Sequence, residues 1–418
     1  MRRAVVIGAG LAGLVAGVRL AEGGMRVTMV AKGVGSLTLS PGVIDVLGYA
    51  PGRVDSPREA LGAFVAERPD HPYARIGADA LEEALAWFTD RVPQMRYRGD
   101  GPRNLLLPTA VGVPRPTALA PASMAGADLR GGGRFVVVGL SGLKDFFPRL
   151  LADNLARADL PSGAMVGARH AEITASPRPG RADVAGQVYA RALDDPAFRG
   201  EFAAALRGLA EPGETILLPA VLGMARAGEV FDELQERVGA PIAEVPTVPP
   251  SVAGMRLNTE LTGAFARAGG RVVLGVEAVG ATGSDGRISE VLVRDAARTR
   301  ALPADAVVLA TGGFSAGGIA LDSYGGLHEV VLDLPVAGPP AGVAPLSERH
   351  LDHQPLMASG VAVDGMLRPV GPGGEPVWDN LHAAGTIVAG AEPWREKSGE
   401  GIAIAGGFRA AGAILEET

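Results

Sequence analysis

Gly8, Gly10 and Gly13 open the chain in the spacing G-x-G-x-x-G. The chemistry this spacing serves is the holding of a phosphate or pyrophosphate. The first glycine permits a tight turn, the second lets backbone N–H groups approach the anion, and the third lets a helix pack closely on a strand. The helix that begins there adds unpaired N–H groups and the positive end of its dipole. There is no cysteine in the 418 residues, which excludes disulfides, Cys-ligated zinc, iron–sulfur ligation and a redox-active thiol pair. Any redox chemistry must therefore ride on a bound organic cofactor. The other groups of chemical interest are histidines and arginines. His350 and His353 sit in Glu348-Arg349-His350-Leu351-Asp352-His353-Gln354, at a spacing that could start a metal site, but no third ligand is evident. No metal is expected.

These residues need elements to position them. Ala4 to Ile7 is a β-branched run, Leu11 to Leu20 is apolar and helix-prone, Gly23-Gly24 stops it, and Met25 to Val30 reads as a second strand. A glycine turn inside a strand–helix–strand unit is a far stronger signal than the spacing alone. Lys32 to Gly48 follows as a small-residue loop, which in a nucleotide-binding fold lies over the cofactor and brings Ser40 and Gly42 to it. Asp305 to Ala310 is a buried-type strand running into Thr311-Gly312-Gly313. Asn380 to Ala384 is a last short strand, then Gly385 and a Gly/Ala-rich helix from near Gly401-Ile402.

Between these lie helices over Arg58 to Glu67 and Ala78 to Thr89, the second with Leu81, Leu85 and Phe88 at helical spacing. Tyr97 to Arg134 is crowded with proline and glycine and reads as irregular strands and turns. Phe135 to Val138 runs into Gly139-Leu140-Ser141-Gly142 and a helix through about Ala156. That repeats the strand–glycine turn–helix pattern without the spacing, and a close turn with no ligand fits it as well as a second site does. Thr215 to Leu218 is a further strand and Leu257 to Ala268 a helix. Glu277 to Thr282 and Arg287 to Arg294 form a hairpin about Ser284-Asp285-Gly286, and a second hairpin is expected over Gly360 to Arg368.

Composition bounds the rest. Hydrophobic residues make up 47% and charged residues 20%, as in a soluble globular protein. A formal net charge of -7 argues against nucleic acid as a partner. Met1-Arg2-Arg3 and the apolar run after it imitate a signal peptide, but the run carries the spaced glycines and continues into a strand. No segment has the uninterrupted apolar length of a membrane span, about 18 to 20 residues. The chain is expected to be cytoplasmic.

Three distant segments fit one sheet: the opening turn, Asp305 to Gly313, and Asn380 to Gly385 with its helix. In flavoproteins of the two-dinucleotide-binding type the first holds the diphosphate, the second closes over the nucleotide, and the third aims a helix N-terminus at the flavin ring, stabilising its anionic reduced form. The expected fold is α/β, a Rossmann-like FAD/NAD(P)-binding flavoprotein fold. Its nucleotide domain is discontinuous, over 1–50, 270–330 and 370–418. Residues 51–269 form an inserted substrate or partner domain, and 331–369 a connecting loop and hairpin. The cofactor residues are then Gly8, Gly10, Gly13, Lys32, Ser40, Gly42, Thr311, Gly312, Gly313, Gly385, Gly401 and Ile402.

The whole chain resembles the B subunit of anaerobic glycerol-3-phosphate dehydrogenase. The residues that carry the likeness include the opening Gly-Ala-Gly-Leu-Ala-Gly-Leu, the loop Ser40-Pro41-Gly42-Val43-Ile44-Asp45-Val46-Leu47 and His71-Pro72-Tyr73. They continue in Gly139-Leu140-Ser141-Gly142-Leu143-Lys144-Asp145-Phe146, Pro246-Thr247-Val248-Pro249-Pro250-Ser251-Val252 and Leu367-Arg368-Pro369. The resemblance implies oxidation of sn-glycerol 3-phosphate to dihydroxyacetone phosphate, with electrons going to a quinone during anaerobic growth. It implies a complex with two partners, a larger flavoprotein subunit and an iron–sulfur membrane-anchoring subunit, the second of which holds the complex on the inner face of the cell membrane. It assigns FMN to this chain, with FAD as the alternative. One feature of the sequence agrees with a mononucleotide. The second strand ends in Ala31-Lys32-Gly33 where FAD folds carry a ribose-binding acid, and Lys32 suits a terminal phosphate, although a lysine there is also an ordinary solvated residue.

Oxidising a secondary alcohol by hydride transfer needs a general base and cations for the phosphate. His353 is the expected base, and Arg256 and Arg368 are the expected phosphate cations by family match. His71 is expected to cap a turn. The sequence leaves open whether this chain or the larger flavoprotein subunit holds the substrate. It also leaves open two other functions, a scaffold subunit without flavin and a stand-alone flavin oxidoreductase for another substrate.

Overall fold

The computed structural model describes residues 1–296, 298–340 and 342–417. Its centre is a five-stranded sheet in the order Arg271–Leu274, Arg26–Ala31, Arg3–Ile7, Ala306–Leu309, Leu381–Ala383. Every neighbouring pair is parallel, with Val5 opposite both Thr28 and Val307. Strands covered on both faces read as continuous apolar runs, as Ala4 to Ile7 and Ala306–Leu309 do. The helices Leu11–Glu22 and Gly399–Glu416 lie against one another on this sheet. A side chain at Gly407 would collide with the Ala12 carbonyl, so the glycine sets how closely the two backbones approach. Phe265, on the helix Val252–Arg267, is fully buried and packs against Gly17. Because the strands are parallel, their carboxyl ends share one edge, where ligands bind in such sheets.

The expected hairpin is present as Glu277–Ser284 and Arg287–Arg294. Its two-residue turn has positive φ at both Asp285 (50°) and Gly286 (72°), the conformation that suits the twist of a tight hairpin. A third antiparallel strand, Thr299–Pro303, extends it. That strand is mostly exposed and lacks an apolar face to announce it.

A second parallel sheet runs Ile242–Val245, Glu214–Pro219, Gly133–Leu140, Val166–Ile173. Its core extends from Leu106 to Val245 in sequence. The segments flanking that stretch pack elsewhere. Leu61, Phe64, Tyr73, Leu81 and Phe88, on the helices Pro57–Glu67, Pro72–Ile76 and Ala78–Arg91, join the first core, as do Leu257, Leu261 and Phe265. An apolar helix face specifies that it needs a partner but not which sheet supplies it, so the hydrophobic clusters divide well inside residues 51 and 269. His71 caps Pro72–Ile76, its Nδ1 accepting from the Tyr73 N–H at 3.2 Å. In place of a local hairpin at Gly360 to Arg368, Gly360–Val361 pairs with Val336–Ala337 and a single bridge joins Val363 to Pro369. No described helix is long and apolar enough to cross a membrane.

Candidate functional site

A cleft of about 610 Å³ opens at the carboxyl edge of the first sheet. Gly8, Gly10, Lys32, Ser40, Thr311, Gly312 and Gly385 line it, together with Glu277 and Glu400, which no sequence motif marks. The three glycines of the opening turn do different work. Gly8 has φ 114°, and a side chain there would strike the Ala310 carbonyl. Gly13 packs against the Gly8 carbonyl and the Ala310 side chain. Gly10 caps the helix Leu11–Glu22 and faces open space, so its backbone is what the cleft presents to an occupant.

Other details fit a polar occupant. Thr311 Oγ1 is buried on the cleft wall with no hydrogen-bond partner. Gly312, at φ 80°, turns the chain beneath it, and the Gly313 N–H donates to Thr386 Oγ1 at 3.2 Å. Gly399, Glu400 and Ala403, from the first turns of Gly399–Glu416, face the cleft.

Lys32 is exposed and pairs with Glu277 at 2.6 Å. Glu277 also pairs with Arg294 at 2.5 Å, and these two cations hold its carboxyl below the usual range. The acid missing from the end of the second strand is thus present at the same mouth, supplied by the neighbouring hairpin.

Glu400 lines the cleft, and Leu39 lines both it and a smaller groove of about 230 Å³, whose wall includes Pro41, Arg115 and Val248. Ser40 Oγ lies 3.4 Å from Glu400 Oε1. Asp45 is buried and paired to Arg115, while Asp45 Oδ1 and Arg115 Nε are left without partners. Burial, with the Asp45 charge added and Arg115 opposing, raises the Glu400 carboxyl to about 7.

Several expected site residues lie off this cleft. Gly401 and Ile402 are packed behind its wall, where the Gly401 N–H donates to the Asp45 carbonyl and the Tyr73 hydroxyl fills the space of a side chain. Gly42, at φ 81°, packs on Ala253.

The expected catalytic group does not assemble. Arg256 is buried and holds Glu244 with two contacts, at 2.8 and 3.0 Å, while its Nε donates to the Gly223 carbonyl. Its donors face that carboxylate, so it is corrected from phosphate ligand to structural ion pair. Arg368 closes on Asp364 at 2.8 Å four residues away and does not line the cleft. His353 lines a separate cavity of about 360 Å³ with Asp70 and Arg75, its Nδ1 held by Glu392 at 2.6 Å. No group of three or more potential metal ligands occurs among the described residues.

Residues 3–402 match the family model described as FAD binding domain. The chain is 32% identical to the B subunit of anaerobic glycerol-3-phosphate dehydrogenase of Yersinia pestis over 423 residues, covering 99% of this chain and 98% of that one. It is 28% identical to the same subunit of Aliivibrio fischeri, over 99% of this chain and 95% of that one.

The chain belongs to the family of anaerobic glycerol-3-phosphate dehydrogenase B subunits.

Among solved structures it is similar to the crystal structure of 3-ketosteroid delta1-dehydrogenase from Sterolibacterium denitrificans, with a TM-score of 0.45, 11% identity and both chains covered in full. For a member of this family, the residues that would hold a flavin are those the cleft brings together: the backbone at Gly8 to Leu11 for the phosphate, Thr311 and Gly312 above it, and the amino end of Gly399–Glu416 toward the ring. Glu277 escapes a search of the sequence because it stands in no glycine motif, and Glu400, although flanked by Gly399 and Gly401, reads there as an ordinary helix-start acid. The one signal for Glu400 is its place in the first turn of the closing helix.

Proposed function

We propose that the chain is a flavin-carrying subunit of anaerobic glycerol-3-phosphate dehydrogenase, oxidising sn-glycerol 3-phosphate to dihydroxyacetone phosphate. Electrons pass through a larger flavoprotein subunit and an iron–sulfur subunit to a quinone. The complex sits peripherally on the cytoplasmic face of the cell membrane through the iron–sulfur partner. The observation that carries this reading is the cleft at the carboxyl edge of the parallel sheet, with the open Gly10 backbone at the helix start and Thr311 Oγ1 unpartnered on the wall. A bound flavin supplies the two-electron acceptor that the side chains lack.

FAD is the better fit than FMN. Lys32 would suit a terminal phosphate, but its charge is met by Glu277. The family model that matches is an FAD binding domain, and Glu277 lines the cleft with its carboxylate shared between Lys32 and Arg294. Acid release of the cofactor followed by chromatography decides between the two. Purified chain with no absorbance in the flavin bands, alongside a working complex, would reject the flavin-carrying role.

A second reading has one observation in its favour. With Arg256 and Arg368 committed to Glu244 and Asp364, the larger flavoprotein subunit holds the substrate and this chain relays electrons. Anaerobic bleaching of this chain's flavin by sn-glycerol 3-phosphate without that larger subunit supports the first reading. Bleaching only in its presence supports the second.

A further inference from the structure

We propose that Glu400 is the proton acceptor of the cleft for oxidation of an alcohol phosphate, with Arg115 and Asp45 as the pair that positions it. The inference rests on the flavin oxidoreductase reading and names a base for it, in a cavity other than the one His353 lines.

Glu400 is in the first turn of Gly399–Glu416 and lines the cleft. The cleft and the smaller groove both include Leu39, and Arg115 lines the groove. A substrate in the cleft places its alcohol carbon beside Glu400, and Arg115, held by Asp45, faces it from the neighbouring wall. Asp45 is 1% exposed, and its Oδ1, like Arg115 Nε, has no hydrogen-bond partner. In a wall this well packed, two unpartnered charged atoms mark a site built for a third polar group.

The polar and charged groups facing Glu400 come from five stretches of chain. Ser40 Oγ and the Asp45 carboxylate lie on the loop over the cleft, Arg115 on the strand Pro114–Thr117, Lys397 just before the closing helix, and the Tyr73 and Tyr97 hydroxyls behind. Burial is the largest influence on Glu400, the Asp45 charge adds to it and Arg115 opposes, and together they raise the carboxyl to about 7. A base is most effective with a pKa near the working pH.

The step balances without another reactant. The alcohol carbon gives up its hydrogen with the bonding pair to the flavin, which is thereby reduced. The O–H bond breaks as the C=O bond forms, and the hydroxyl proton moves to the Glu400 carboxylate. The acid returns that proton to water afterwards. Only the ionised carboxylate can accept, so flavin reduction slows as pH falls below about 7.

The experiment uses the full chain carrying its flavin, with Glu400→Gln and Glu400→Asp beside it, each first checked for an unchanged flavin content. Anaerobic stopped-flow mixing with sn-glycerol 3-phosphate reads the bleaching rate across pH 5.5–9. Reduction by dithionite, which needs no base, is the control. Glu400→Gln is expected to slow bleaching by the alcohol phosphate about 100- to 10,000-fold, to leave dithionite reduction unchanged and to lose the pH dependence. Glu400→Asp is expected to recover part of the rate. A readout independent of turnover is the visible spectrum of the oxidised protein. It should shift with pH about a midpoint near 7 in the wild type and not in Glu400→Gln. A Glu400→Gln chain with wild-type rate and pH profile overturns the assignment and leaves the flavin reading intact. A wild-type flavin that the alcohol phosphate never bleaches overturns the assignment together with substrate oxidation by this chain, and leaves the electron-relay reading.

Discussion

Two strand–glycine turn–helix units, one on each parallel sheet, differ in what they open onto: the first faces a cleft and the second is filled. In the first, Ile7 leads into Gly8 and the helix begins at Leu11, with Gly10 facing open space. In the second, Gly133–Leu140 leads into Ser141-Gly142, but the helix waits until Pro148. Pro148 lies 2.6 Å from where a side chain on Gly139 would sit, and the Tyr189 hydroxyl lies 2.7 Å from the equivalent point at Gly142. The Val184 N–H donates to the Gly142 carbonyl, and Lys144 turns back on the Ser141 carbonyl. The second turn is therefore filled by its own fold. Its glycines make room for neighbouring side chains, whereas Gly10 faces open space. A glycine turn between strand and helix is a packing device first, and it becomes an anion site only where the helix starts at once and nothing covers its N–H groups.

Substitutions can break or sharpen this contrast. The largest loss is expected from Gly8→Ala. Strain at φ 114° and a collision with Ala310 together should cost roughly 2–6 kcal/mol, seen as a lowered denaturation midpoint and a chain purified without flavin. Arg256→Met should cost about 3–5 kcal/mol, because it leaves the buried Glu244 carboxylate without its cation. If Arg256 were instead a substrate ligand, the variant would keep its stability and raise KM alone. Gly139→Ala, crowding Pro148, should cost about 1–3 kcal/mol with no change in flavin affinity. Gly10→Ala should do the reverse. It should cost about 1 kcal/mol or less at a helix cap, while weakening flavin binding at least tenfold by titration, since its methyl group enters the cleft. Equal effects at Gly10 and Gly139 on both measurements would remove the distinction between the two turns.

An effect that vanishes at neutral pH lies at the edge of the first sheet. His382 is buried with neither ring nitrogen hydrogen-bonded, and burial, aided by the Arg368 charge, lowers it from 6.5 to about 4. On acidification the unfolded chain takes up this proton near 6.5, while the folded chain resists until about 4. Stability is therefore complete above 6.5 and falls as pH drops through that window, by up to about 1.4 kcal/mol per pH unit. Denaturant titrations at a series of pH values should show His382→Leu with a flatter slope there.

Much of this architecture is written locally. The opening strand–turn–helix–strand unit, the hairpin turn at Asp285-Gly286 and the strand into Ala310-Thr311-Gly312-Gly313 were legible because periodicity, β-branching and glycine placement act over a few residues. His71 as a capping residue was legible for the same reason, although what it caps is a short helix rather than a turn. The strand Thr299–Pro303 was not, because its exposed side chains carry no alternation. Nor was the attachment of the helices Pro57–Glu67 to Ala78–Arg91 to the first core, since an apolar face names no partner.

Charges were the least legible part. From sequence, Arg256, Arg368, Arg115 and Lys32 are equivalent cations among 39 basic residues. Only the tertiary structure buries Arg256 on Glu244, closes Arg368 on Asp364, sets Lys32 against Glu277 across 245 residues, and brings Asp45 and Arg115 to Glu400 from opposite parts of the chain. The sequence alone determined the strand, glycine turn and helix start at Gly8 to Gly13, because backbone geometry there depends on nothing distant. Which side chains surround the cleft that this turn opens on was decided by the fold, because an ion pair depends on distances through space and those follow from how the sheets stack.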